Sequence, residues 1–80
     1  MASYYVETKL SPEKAIQEAM TTFGEGGLGL EVTEQSACCA RFEGGGGHIL
    51  VTASEGEKTK VDLETREWDY PVRQFMKRIG

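Results

Sequence analysis

The strongest hydrophobic pattern lies in the last dozen residues. Apolar side chains fall at Trp68, Val72, Phe75, Met76 and Ile79, with Asp69, Arg73, Gln74, Lys77 and Arg78 between them. Those offsets put the five apolar groups on one stripe of a helix over 68–79. Asp69 suits the start as a cap, Pro71 fits a first turn, and Lys77 with Arg78 suit the negative end of the helix dipole. A stripe this bulky requires an apolar surface to cover.

Upstream, the period changes to two. Ser3 to Leu10 alternates, with Tyr4, Val6, Thr8 and Leu10 on one face and Tyr5, Glu7 and Lys9 on the other, as in a half-buried strand. Ser11-Pro12-Glu13 then reads as N-cap, first helical position and first-turn acid. Ala15, Ile16, Ala19, Met20 and Phe23 form the stripe of that helix, and Gly24 ends it. Four more strands follow. Leu28, Leu30 and Val32 alternate in the first, and Cys38, Ala40 and Phe42 in the second, after a hairpin at Glu34-Gln35-Ser36. Gly44 to Gly47 lead into His48 to Ala53. Lys58 to Glu67 is the clearest strand, with Thr59, Val61, Leu63 and Thr65 facing one way and Lys60, Asp62, Glu64 and Arg66 facing water.

Strand, helix, four strands, helix, all joined by short connections, predicts one α+β domain over 1–80. It is a two-layer sandwich of order β-α-β-β-β-β-α. The late strands form an antiparallel meander, and the first strand pairs with the last. About five strands result, with both helices on the uncharged face.

Eighty residues allow one small core. A net charge of −4 argues against a nucleic-acid binder, which needs a basic face. No stretch approaches the ~20 apolar residues of a membrane span. Met1 to Val6 lack a positive charge followed by an apolar run, so no signal peptide is expected. With only two cysteines, Cys38 and Cys39, there is no disulfide framework. The reading is a soluble domain in a reducing, cytoplasmic setting.

At the level of the whole chain, a family resemblance follows. Tyr5-Val6-Glu7-Thr8 with Leu10-Ser11-Pro12-Glu13-Lys14-Ala15 is similar to the opening of helix-grip domains, the START and polyketide-cyclase-like superfamily. Val61-Asp62-Leu63-Glu64-Thr65-Arg66 before an amphipathic helix is similar to their ending. The resemblance rests on element order. It implies a long terminal helix lying across a curved sheet and an apolar ligand enclosed between them.

Two function classes survive. The first is a non-catalytic binding module for a small apolar ligand. Its groove, between the last helix and the sheet, is lined by Phe42, Val51, Leu63, Trp68, Phe75 and Met76. The second is a protein-interaction module, monomeric or weakly dimeric, that uses a sheet edge or the outer face.

An enzyme ranks below both, because spacing assembles no catalytic set, no metal set and no cofactor motif. The glycine runs Gly24–Gly29 and Gly44–Gly47 precede strands, whereas phosphate loops open helices. They read as turns. His48 falls on the wet face beside Leu50 and Thr52. Adjacent strand residues point to opposite faces, so Cys38 and Cys39 are not expected to bond. Cys38 is expected in the core and Cys39 outside. Glu31, Glu43, Asp62 and Glu64 are expected in cross-strand ion pairs with Arg41, Lys60 or Arg66. Arg66, Arg73, Lys77 and Arg78 make the C-terminal end locally basic, and Trp68 is placed at the mouth of the groove.

Overall fold

The computed structural model describes residues 2–80. Seven elements follow one another: β1 (Ala2–Thr8), α1 (Pro12–Phe23), β2 (Glu31–Gln35), β3 (Cys39–Gly44), β4 (Gly47–Ser54), β5 (Thr59–Arg66) and α2 (Asp69–Ile79). The strands form one antiparallel sheet in the order β1-β5-β4-β3-β2. The meander and the β1–β5 pairing are as the patterning predicts. β1 lies against β5 from Ala2–Thr65 to Thr8–Thr59.

The inner face of the sheet carries Ala40, Phe42, Ile49, Val51, Ala53, Val61 and Leu63, all buried. Both helices pack on that face. α1 lies over β3, β4 and β5, α2 lies over β1 and β5, and the helices touch each other. α1 contributes Ala15, Ile16, Ala19 and Phe23 to the core, and α2 contributes Val72, Phe75 and Ile79. Phe23 is the junction. Its ring centroid lies 5.5 Å from that of Phe42 in the sheet and 5.0 Å from that of Phe75 on α2.

Helix ends follow the sequence in part. Ser11 caps α1, its Oγ accepting from the Lys14 amide at 3.2 Å. At the other end the amides of Leu28 and Leu30 donate to the carbonyls of Thr22 and Phe23, and that of Gly29 donates to Gly24. Residues 28–30 thus satisfy carbonyls that a helix end leaves without partners. For that reason β2 starts at Glu31, and Leu28, expected on a strand face, is exposed. Asp69 does not cap α2. The cap position is Trp68, whose side chain makes no cap bond, and the Asp69 carboxylate instead accepts from the Tyr4 hydroxyl at 2.6 Å.

The β3–β4 hairpin turns through Gly45 and Gly46, both at positive φ (58° and 80°). Two consecutive left-handed residues are what a tight type I′ hairpin requires, and glycine supplies them without a Cβ clash. The Trp68 indole lies on this turn. Its Nε1–H donates to the Gly44 carbonyl at 3.0 Å.

Candidate functional site

The six residues expected to line a ligand groove divide. Phe42, Val51, Leu63 and Phe75 are buried in the core, and Trp68 and Met76 are half-buried at its margin. The space between α2 and the sheet holds the Phe23 ring. Phe23 belonged to the α1 stripe, but nothing in the periodicity indicated that α1 would bring it between Phe42 and Phe75. Trp68 packs on the glycine turn.

The open groove lies between α2 and the end of α1 with its following loop. Thr22 at the end of α1, Gly27 and Leu28 of the following loop, and Tyr70, Pro71, Gln74 and Phe75 of α2 line about 660 Å³ of largely apolar space, with Lys77 and Arg78 also on its wall. The spacing Tyr70, Gln74, Lys77 is one outer stripe of α2. The amide bonds of residues 28–30 fix the facing loop. Arg78 donates to Glu18 Oε1 at 3.2 Å and to Thr22 Oγ1, tying α2 to α1 at this groove. Tyr70 is 68% exposed and Leu28 39% exposed. Sequence reasoning missed this site. One signal was available: Tyr70 is an aromatic on α2 that falls off the apolar stripe.

The outer face of the sheet carries the remaining candidates. His48 is half-buried there, opposite Glu43 and Arg66, with Nε2 3.8 Å from the Glu64 carboxylate. Arg41 Nε donates to Glu43 at 2.9 Å, and Lys60 lies 3.8 Å from Asp62. Both of these pairs run i to i+2 along one strand rather than across strands as expected. Lys60 also sits 4.9 Å from the centroid of the Tyr5 ring. The Arg41 hydrogen bond holds the Glu43 carboxyl below its usual pKa. The bond to Asp69 raises the Tyr4 phenol above its usual pKa, with partial burial and the Asp69 charge acting the same way.

The cysteines depart furthest from expectation. Cys38 and Cys39 are joined to each other in a disulfide. The alternation argument fails because Cys38 precedes β3 and lies in the turn after β2, where side chains do not alternate. Cys38 is accordingly exposed rather than buried, and Cys39 is half-buried.

Among the described residues, no three of His, Cys, Asp or Glu gather as metal ligands, and no helix is long and apolar enough to cross a membrane. Comparison of the chain with protein-family models, curated proteins and solved structures finds no match.

Proposed function

We propose that the protein is a non-catalytic interaction module that receives an acidic, amphipathic segment of a partner protein in the groove between α2 and the α1–β2 loop. The observation that carries this reading is an apolar groove open to solvent, with Tyr70 68% exposed beside Leu28. Exposed aromatic and aliphatic groups on a firmly held backbone are the usual anchors of a protein contact. Lys77 on the same wall favours an apolar anchor flanked by Asp or Glu, whereas Arg78 is already engaged with Glu18. Lys77 also disfavours self-association through this face, since a two-fold contact would bring like charges together. The sheet edge at β2 is the weaker surface. It is short, irregular between Val32 and Glu34, and carries Glu31 and Glu34, features that discourage strand addition.

Selection of a random peptide library on the immobilised domain tests the proposal. Enriched peptides are expected to share an apolar anchor beside carboxylates. Leu28→Glu and Lys77→Glu are each expected to weaken the best peptide at least tenfold by fluorescence polarisation. Absence of enrichment, or equal binding to both variants, overturns the reading.

A small amphiphilic anion in the same groove is the second reading. The volume of about 660 Å³ falls in the range of ligand pockets, although the groove lies between α2 and the α1–β2 loop rather than between helix and sheet, where the helix-grip resemblance would put a ligand. Titration with dodecanoate, followed by amide chemical shifts at Leu28 and Tyr70, addresses it directly.

A further inference from the structure

We propose that Cys38–Cys39 is a reversible thiol–disulfide site whose reduced form is a two-sulfur ligand for trivalent arsenicals. The bond joins neighbours whose Cα atoms are 3.8 Å apart. The loop it closes is the shortest a chain can offer, so it removes the least freedom from the unfolded chain and is poorly suited to a structural role. It lies in a solvent-facing turn, with Cys38 exposed. The backbone of both cysteines is held by hydrogen bonds that do not involve the sulfurs. The Ala53 amide donates to the Cys38 carbonyl at 2.7 Å, and the Ser36 amide donates to that of Cys39 at 2.8 Å. Opening the bond therefore leaves two thiols side by side on an anchored turn. Ser36 Oγ lies 3.5 Å from Cys38 Sγ and can donate to a thiolate there.

The reductant is a dithiol. One of its thiolates attacks the exposed Cys38 Sγ, the Cys38–Cys39 bond breaks, and its electron pair leaves on Cys39 Sγ, which takes a proton from water. The second thiolate of the reductant then attacks the mixed disulfide and expels Cys38 as a thiolate, which is protonated in turn. The reductant departs as a cyclic disulfide, having given up two electrons and two protons. The dithiol then condenses with an organic arsenic(III) oxide. Two S–As bonds form, the As=O oxygen leaves as water with the two thiol protons, and arsenic stays trivalent.

The test uses the full chain. After incubation with oxidised dithiothreitol, thiol titration is expected to find no free thiol. After reduction and desalting it should find two, the whole cysteine content. Phenylarsine oxide should then add once per chain by intact mass and consume both thiols. Dimercaptopropanol should reverse the addition. Cys38→Ser and Cys39→Ser, with helical circular dichroism retained, should each keep one titratable thiol and hold the arsenical at least tenfold more weakly. Two free thiols after oxidation, loss of only one thiol to the arsenical, or equal retention by the single variants would overturn the proposal.

Discussion

At the scale of single residues, two side chains carry the least expected information. Tyr4 donates to Asp69, and the phenol pKa is raised by that bond first, then by partial burial and the Asp69 charge. A raised acid pKa means that the folded state favours the protonated form. The stability this adds is fully present below the unfolded tyrosine pKa of ~10 and is lost as pH rises through the higher folded value. Tyr4→Phe is therefore expected to melt below the parent at pH 7, with the gap narrowing above pH ~10. Melting curves at several pH values check this, and a constant gap would show that the proton is not involved. Glu67 sits at φ 76° between β5 and α2, a left-handed conformation costing about 1–2 kcal/mol for a residue with a Cβ. Glycine removes that cost but adds about 0.5–1 kcal/mol of unfolded-state entropy. Glu67→Gly is thus expected to be neutral or to stabilise by up to about 1.5 kcal/mol, by urea denaturation. Neither residue was legible beforehand. Tyr4 was assigned a strand face correctly, but its hydroxyl partner lies 65 positions along the chain.

At the scale of elements, the patterning found both helices and all five strands in order, because most carry one wet face and one dry face that imprint a clear period. β2 is the exception: Glu34 and Gln35, expected in a hairpin with Ser36, are paired with Arg41 and Ala40 inside the strand, whose residues are nearly all exposed and leave no apolar period to read. Element ends were less legible, because they depend on where spare backbone groups find partners. The β1–α2 lock is an example. Thr8 Oγ1 donates to the Ile79 carbonyl at 2.6 Å and accepts from the Leu10 amide at 3.2 Å. A strand threonine, itself 2% exposed, thus satisfies the last turn of a distant helix. Thr8→Val keeps the shape but strands an acceptor and a donor, and is expected to cost about 1–3 kcal/mol. Thr8→Ser should restore most of it by the same denaturation assay. The hairpin contact behaves similarly. A Cβ on Gly45 would lie 2.7 Å from Trp68 Cζ2 at a positive φ, so Gly45→Ala combines conformational strain with a clash and should cost at least about 1–2 kcal/mol. Gly46 has positive φ but open space around it, so Gly46→Ala should show the strain alone.

At the scale of the molecule, which elements meet, and therefore where space remains, is set by side chains far apart in sequence. The spacing of Phe42 and Phe75 correctly put both on inward faces, yet the volume between them is decided by Phe23, which approaches from α1. The open groove lies elsewhere, at Tyr70 and Leu28. Removing the Phe23 ring probes the filled gap directly. Phe23→Ala is expected to cost about 3–5 kcal/mol, a large share of the ~4–12 kcal/mol typical of this length. Phe23→Leu is the milder companion that keeps the fold measurable. If the ring alone fills the gap, the truncated variant gains a dry cavity between α2 and the sheet, of the kind that admits benzene. Saturating benzene should then raise the melting temperature of Phe23→Ala or Phe23→Leu through preferential binding to the folded state and leave the parent unchanged. A parent that responds as strongly as the variants would mean that the gap opens without mutation, and would return the ligand site to Phe42, Leu63 and Phe75.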